Sequence, residues 1–352
     1  MSHTKISSIG EFGLIDRIKK IVNVSVDDAS LIDNLLIGIS DDAAVFKPKP
    51  GKVQLLTTDA FAEGIHFDLT FTSLKHLGWK TIAANMSDIA AMGGIPRYAT
   101  VAVSLPQKIS IEMVEEFYHG ATAACKKYSC KIVGGDTIAS MANMMISVSM
   151  TGEADELKIK TRCAAIPGEY ICVTGHLGAS VAGLKILKRE KERLEQANEK
   201  ELFSPNLEAY SIALEKHLMP KPRLDISKIL TEKIKIGAMI DISDGLASEV
   251  HHICNSSGTG AEIYEHNIPL DSITQKISEE FGEPATDYAL FGGEEYELLF
   301  TIRDEEFAKL EKLTSDVTII GRITEKSKGI ILVREQGEQL PLTFGGWNHF
   351  RF

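Results

Sequence analysis

Five times the chain runs apolar or small residues straight into aspartate. The places are Asp41-Asp42 in GISDDAAVF, Asp59 in LLTTDAF, Asp88 in NMSDIAAMGG, Asp136 in IVGGDT, and Asp241 with Asp244 in MIDISDGL. Any fold must accommodate these carboxylates, because burying an ionised carboxylate without a partner costs several kcal/mol. Almost no basic residue stands beside any of them in sequence, so the compensating cations have to come from elsewhere. Bound divalent metal is the economical source. All-oxygen ligands of this kind suit magnesium, manganese or calcium rather than zinc.

The patterns between these aspartates alternate helix and strand. FGLIDRIKKIV reads as a short amphipathic helix and VQLLTT as a buried strand that Asp59 follows. LKHLGWKTIAANMSDIAAM carries apolar residues at helical spacing up to Gly93-Gly94. TVAVSL alternates as a strand, IEMVEEFYHGATAACKKY is a helix, CKIVGGDT is a strand running into glycines, and MMISVSMTGEA is a strand closing the first half. The charged, Pro/Gly-marked stretch ADELKIKTRCAAIPGE is the expected boundary. EYICVTG, GAMIDIS, AEIYEHN, YELLFTI, VTIIGRI and GIILVRE read as strands of a second half, with GASVAGLKILKREKERLEQ and DGLASEVHHIC as helices. The sum is an α/β (α+β) protein with mixed sheets and helices. A length of 352 residues exceeds one ordinary core, and the expected domains are 1–155 and 156–352.

Composition narrows the function classes. The net charge of −11 opposes binding to nucleic acid or anionic membrane. No apolar run is long enough to span a bilayer. MSHTKISSIGEFGL has no charged-then-apolar signal pattern, so the expected location is the cytoplasm. The five cysteines are odd in number, scattered and without a C-x-x-C pair, which points to neither a zinc site nor a dithiol. Cys125 and Cys254 read as small buried hydrophobes.

Strand ends and the turns after them collect ligands in α/β sheets. Glycine there lets backbone N–H groups approach phosphate. Gly134-Gly135-Asp136 reads as such a turn, offering a phosphate contact and a metal ligand together. Asp88 lies within a helix pattern, a poor place for Asp without a task. Each residue also has an ordinary reading. Asp59 and Asp136 alone are turn residues, and Asp244 before Gly245 is a helix N-cap. Of the Asp41-Asp42 pair, one is expected at metal and the other at a cap or in solvent. His251-His252 makes a poor metal clamp, because adjacent helical residues point apart. No Walker-type phosphate loop, dinucleotide fingerprint, kinase catalytic-loop set or nucleophile elbow occurs.

GISDDAAV, TTDAFAEGIHF, AANMSDIAAMGG, GGDT, DISDGL, GGEEYELLF and the closing GGWNHF resemble, in order and spacing, the thiamine-monophosphate kinase family. The resemblance covers nearly the whole chain. It implies a two-domain aminoimidazole-ribonucleotide-synthetase (PurM)-like fold and transfer of the ATP γ-phosphoryl group to thiamine monophosphate, giving thiamine diphosphate. By the same resemblance, the Mg²⁺ ligands fall on Asp42, Thr57, Thr58, Asp59, Asp88, Asp136, Asp241 and Asp244. Asp59, Asp88 and Asp136 are the expected catalytic carboxylates. ATP contacts fall on Gly135, Asp136, Arg162 and Ser243, and thiamine-phosphate contacts on His66, Glu294 and Trp347. A homodimer joined through the N-terminal halves, with ATP near that interface, is also implied. Two departures stand out: Ser40 replaces a usual glycine, and Glu295 replaces the Asp of G-G-E-D-Y-E-L while keeping a carboxylate.

The chemistry is physically coherent. A carboxylate about 6 Å from a phosphate charge repels it by roughly 3 kcal/mol at an effective dielectric near 20. A pocket of several such groups needs two or more Mg²⁺ ions to hold ATP. The acceptor is already an ionised phosphate monoester, so direct in-line transfer needs little help from a base. Relatives on the same fold fit less well. Selenophosphate synthetase needs a reactive residue near the N-terminus, and the first cysteine here is Cys125. The hydrogenase-maturation relative needs a C-terminal cysteine, and this sequence ends NHFRF. Aminoimidazole-ribonucleotide synthetase stays open on fold alone. Rivals of other classes are a non-catalytic nucleotide or metal sensor and a metal-dependent phosphatase.

Overall fold

The computed structural model describes residues 4–23, 34–39, 43–197 and 205–347. Asp41, Asp42 and Ser40 lie outside the described residues. The chain divides into two compact units, residues 1–89 with 94–157, and residues 90–93 with 158–352.

In the first unit the described strands are β1 (Leu35–Ile37), β2 (Val45–Phe46), β3 (Lys52–Ala62), β4 (Ile95–Pro106), β5 (Lys131–Ser140) and β6 (Met145–Asp155). Its helices are α1 (Gly10–Asn23), α2 (Leu74–Ala91) and α3 (Ile111–Lys127). β1 and β2 form a small antiparallel pair. The other four strands make one sheet in the order β3-β6-β4-β5, with β4 and β5 parallel and the remaining pairs antiparallel. The α3 pattern explains itself. Ile111, Val114, Phe117, Tyr118, Ala121, Ala124 and Cys125 recur at helical spacing and are buried, and the Ser110 side chain caps the start by accepting the Met113 N–H.

The sheet has two unlike faces. Ile146, Val148 and Met150 of β6 and Val101 and Val103 of β4 point into the core. On the opposite face Leu56 is 77 % exposed, Ile138 55 % and Met145 48 %. VQLLTT is therefore not the fully buried strand expected. It is an edge strand buried on one side, and it continues past Thr58, so that Asp59 lies within it rather than after it. Gly134-Gly135-Asp136 likewise lies inside β5, hydrogen-bonded to β4 in register, and not in a turn.

The second unit holds strands β7 (Tyr170–Thr174), β8 (Ile236–Asp241), β9 (Thr259–Tyr264), β10 (Leu298–Ile302), β11 (Val317–Glu325), β12 (Ile330–Val333) and β13 (Gln339–Pro341). They form one sheet in the order β13-β12-β9-β11-β7-β10-β8, mixed through the single parallel pair β9–β12. The α-helices are α4 (Ala179–Gln196), α5 (Ser211–Leu218), α6 (Leu224–Glu232), α7 (Leu246–Ser257), α8 (Ser272–Phe281), α9 (Ala285–Phe291) and α10 (Asp304–Leu310). Both faces of this sheet are covered. Ile171 and Val173 join the core containing Leu246 and Val250 of α7. Cys172 between them joins the core with Ile226 of α6 and Leu310 of α10. Burial on both sides is why YICVT and YELLFTI read as continuous apolar runs instead of alternating ones.

Candidate active site

In the first unit, strand alternation sends Thr57 and Asp59 to the helix-covered face of β3, and Asp88 approaches from α2. The Thr57 hydroxyl donates to an Asp88 carboxylate oxygen. The Asp59 carboxyl is pushed up to about 7, first by burial and then by the neighbouring Asp88 charge. Two carboxylates close together in a low-dielectric pocket oppose each other's ionisation. Thr58 points to the other face. Its hydroxyl donates to the Val148 carbonyl at 3.0 Å and accepts from the Ser149 hydroxyl at 3.0 Å. His66, in the turn after β3, accepts the Ala62 N–H on Nδ1 at 3.0 Å, which leaves the proton of a neutral ring on Nε2.

Asp136 stands apart from this group. One row across the sheet runs Asp59, Val148, Val101, Gly135, so three strand spacings, about 14 Å, separate Asp59 from β5. Asp136 follows Gly135 and so belongs to the opposite, open face, where its carboxylate accepts the Thr137 N–H at 2.9 Å. Gly135 is held to glycine by packing, since a Cβ there would sit 2.0 Å from the Val101 carbonyl oxygen.

In the second unit a second set assembles at the end of β8. Asp241 is the last strand residue and is buried. The chain then passes through Ser243 and Asp244 into α7. The segment 292–297 is stitched alongside, with the Glu294 N–H on the Ser243 carbonyl at 2.7 Å and the Tyr296 N–H on the Ile242 carbonyl at 2.8 Å. Glu294 (φ 63°) and Tyr296 (φ 54°) both adopt left-handed backbone, an unfavourable conformation for residues with a Cβ that collects at functional segments. The C-terminal tail reaches the same place. The Trp347 N–H donates to the Asp244 carbonyl at 3.1 Å. Gly346 (φ 136°) permits that approach, because a Cβ there would lie 2.3 Å from the same oxygen. The Trp347 side chain is 51 % exposed. Arg162 lies nearby electrically: burial, Arg162 and His251 hold the His252 ring below its usual range while Asp244 pulls it the other way. Among the described residues, no three His, Cys, Asp or Glu side chains form one group able to hold a metal.

Comparison with known proteins places these features. Residues 40–154 match the family described as AIR synthase related protein, N-terminal domain, and residues 167–334 match its C-terminal domain. The thiamine-monophosphate kinase of Aquifex aeolicus is 35% identical over 347 residues, covering 98% of this chain and 100% of its own. The chain belongs to the thiamine-monophosphate kinase family. The crystal structure of the Stenotrophomonas maltophilia family member superposes with a TM-score of 0.77 at 30% identity, over 96% of this chain and 99% of that one. A structure described as AaThiL complexed with AMPPCP and TMP gives a TM-score of 0.73 at 35% identity, over 98% of each chain. The two-domain fold with mixed sheets is thus the one the resemblance implies.

Within the thiamine-monophosphate kinase family pattern, this structure groups Thr57 with Asp59 and Asp88, and Asp241 with Ser243, Asp244, Glu294 and the Trp347 backbone. Asp244 is not a helix cap. The cap position is Gly245, and no side chain caps it. Instead Glu249, buried on α7, accepts the Ser243 N–H at 3.1 Å and the Asp244 N–H at 2.8 Å. Burial raises its carboxyl to about 7 against the pull of those N–H donors. Nothing in the sequence marks Glu249, because an acid one turn into a helix is commonplace.

Glu295 also differs from expectation. It points inward, accepts the Ser180 N–H at 3.0 Å at the start of α4, and is pushed up to about 8 by burial, with Lys216 only partly offsetting. Burial thus opposes the charge of this carboxyl. Glu297, two residues on, meets basic partners. Its carboxylate is held by Arg223 at 2.6 Å, Lys216 at 2.8 Å and the Thr174 hydroxyl at 2.6 Å. These contacts fix the base of the loop that presents Glu294.

Proposed function

We propose that this chain transfers the γ-phosphoryl group of ATP to thiamine monophosphate, producing thiamine diphosphate, the final step of thiamine diphosphate biosynthesis. The observation that carries the reading is the relative complexed with AMPPCP and TMP, which this chain matches along its length. AMPPCP is an ATP analogue that cannot pass on its γ-phosphoryl group, and TMP is read as thiamine monophosphate. Together they describe a donor and an acceptor held on one enzyme.

The chain's own residues fit divalent magnesium. The donors are hard oxygens, and Asp59 and Asp88 sit close enough for one charge to oppose the other. They come as small sets and not as a complete cage, which is how Mg²⁺ is held when nucleotide phosphates and water complete its shell. Asp42, Thr57, Thr58, Asp59, Asp88, Asp136, Asp241 and Asp244 are the proposed ligands. Bound Mg²⁺ would supply charge neutralisation for the phosphates and the transferring group. Gly135, Asp136, Arg162 and Ser243 are the proposed ATP contacts. His66, Glu294 and Trp347 are the proposed acceptor contacts, with the carboxylate and the exposed indole suited to a cationic thiazolium. Among their described members no Ser–His or Cys–His pair occurs, which supports direct in-line transfer.

The placement of Asp136 supports the homodimer. It lies on the open face of the first sheet, on the edge strand β5 opposite β3, and the same face exposes Ile138 on β5, Met145 on β6 and Leu56 on β3. A second copy covering that face would bury the apolar residues and bring the partner's Asp136 into play. A soluble cytoplasmic dimer using no nucleic acid or membrane is the reading we adopt; among the described residues, no helix is long and apolar enough to cross a membrane. A coupled assay of purified protein with ATP, Mg²⁺ and thiamine monophosphate should give thiamine diphosphate and ADP in equal amounts. ATP hydrolysis without that product would sink the reading.

A further inference from the structure

Glu294 carries the acceptor's proposed anionic contact, yet its left-handed backbone and one-quarter-exposed side chain do not by themselves fix where its carboxylate points. A buried imidazole stands behind it. His217, near the end of α5, is 4 % exposed, and its Nδ1 lies 3.5 Å from a Glu294 carboxylate oxygen and 3.2 Å from the Ser180 hydroxyl. The shorter, hydrogen-bonded partner of Nδ1 is the Ser180 hydroxyl; Glu294, which can only accept, meets a proton on Nδ1 as a longer charge contact. Ser180 is itself fixed, because its N–H, at the start of α4, donates to Glu295. The imidazole is delivered there by close helix packing. At Gly183 of α4 a Cβ would come 2.3 Å from the Ala213 carbonyl oxygen and 3.2 Å from the His217 Cβ, so α5 lies directly on α4.

We propose that His217 is a positioning residue for acceptor recognition. Its ring, held by the Ser180 hydroxyl, keeps the Glu294 carboxylate aimed at the cationic ring system of the acceptor. The inference rests on the reading of Glu294 as an acceptor contact. It adds a specificity element on α5, outside the aspartate motifs. Its loss therefore shows in acceptor binding and not in ATP binding.

The test compares wild type, His217→Ala, His217→Asn and Ser180→Ala by steady-state kinetics with each substrate varied, and by calorimetry with thiamine monophosphate alone. Asn can place an amide N–H near the Nδ1 position. His217→Ala should raise KM for thiamine monophosphate about tenfold or more, the scale of one lost charge-assisted contact, while KM for ATP moves less than about twofold. His217→Asn should recover most of that loss, and Ser180→Ala should show a smaller shift of the same kind. Equal changes in both KM values, a fall in kcat alone, no change, or no rescue by Asn would overturn the proposal. Should His217→Ala fail to fold, as thermal melts would reveal, the Asn and Ser180→Ala variants decide it: parallel loss for both substrates overturns it. A wild type that turns over no thiamine monophosphate would instead remove the functional reading, and this inference with it.

Discussion

Each unit holds a set of carboxylates at the proposed site, and the two sets differ in the partners the chain gives them. In the second, Glu297 is enclosed by Arg223, Lys216 and Thr174, and Glu249 is met by two backbone N–H groups. The protein supplies its own compensation there, and the carboxylates act as girders for the loop bearing Glu294. In the first, the dominant influences on Asp59 are burial and the like charge of Asp88. An arrangement that costs stability without return would be a poor girder. It makes sense as a site whose compensation arrives with the substrate. Charge balanced within the chain builds structure; charge left for the ligand to balance marks the chemistry.

The sharpest way to break this contrast is to remove one charge from the first unit. Asp59→Asn or Asp88→Asn should lower kcat by ~10³-fold or more, since a shared ligand set is lost. The same variants should melt at an unchanged or higher temperature without Mg²⁺, because like-charge repulsion is relieved, and Asn at position 88 can still accept from Thr57. Retained turnover, or a marked drop in melting temperature, would show that these carboxylates are girders too.

The next effect concerns the open sheet face. Leu56→Asp should leave the unit folded, because Leu56 is 77 % exposed, but yield a monomer by light scattering, with most activity lost. Complementation sharpens this. If each site takes Asp59 from one copy and Asp136 from the other, mixing inactive Asp59→Asn and Asp136→Asn proteins should restore about a quarter of wild-type activity, because half the dimers are mixed and each holds one intact site. Absence of recovery after verified subunit exchange would place both aspartates in the same copy's site.

A smaller effect separates the acceptor contacts from the donor contacts. His66→Ala and Trp347→Ala should each raise KM for thiamine monophosphate roughly tenfold with KM for ATP nearly constant. Trp347→Ala should not change the melting temperature, since the indole is half in solvent. A loss confined to ATP would interchange the two halves of the site.

Much of this is legible along the chain because it is local. The helical spacing of LKHLGWKTIAANMSDIAAM predicts α2, and with it the anomaly of Asp88 in a helix. The apolar runs predict the strands of both sheets except the short β13. Asp59 and Asp136 are conspicuous in the sequence but read as turn residues, because aspartate and glycine are disfavoured in strands until a partner strand is known. Long-range burial is the part no local pattern carries. His217 and Glu249 look like ordinary polar residues of short helices, and only the packing of α5 on α4 and of α7 behind Ser243 gives them partners. Glu295 looks like a conservative replacement for Asp, and only the structure shows that it is buried and that burial opposes its charge.

The protonation of Glu295 yields the smallest predicted effect, and the one that probes the second unit's self-compensation most directly. Like Glu249, Glu295 is a buried carboxyl whose ionisation burial opposes, and Lys216 and the Ser180 N–H offset that only in part. Its folded value of about 8 lies above the ordinary 4.5, so between those two pH values the folded state binds a proton that the unfolded state has released. Folding stability from this group is therefore fullest below about pH 4.5 and declines as pH rises toward 8, by at most roughly 1.4 kcal/mol per pH unit. Glu295→Gln keeps the shape and the acceptor for the Ser180 N–H but does not titrate. Relative to wild type, it should be near neutral in stability at pH 5 and measurably more stable at pH 8, with the difference growing steadily between them. A difference in melting temperature that stays constant across that range would mean Glu295 remains ionised in the fold. Glu249, Glu295 and Glu297 would then all be compensated within the second unit, and its contrast with Asp59 and Asp88 in the first would sharpen.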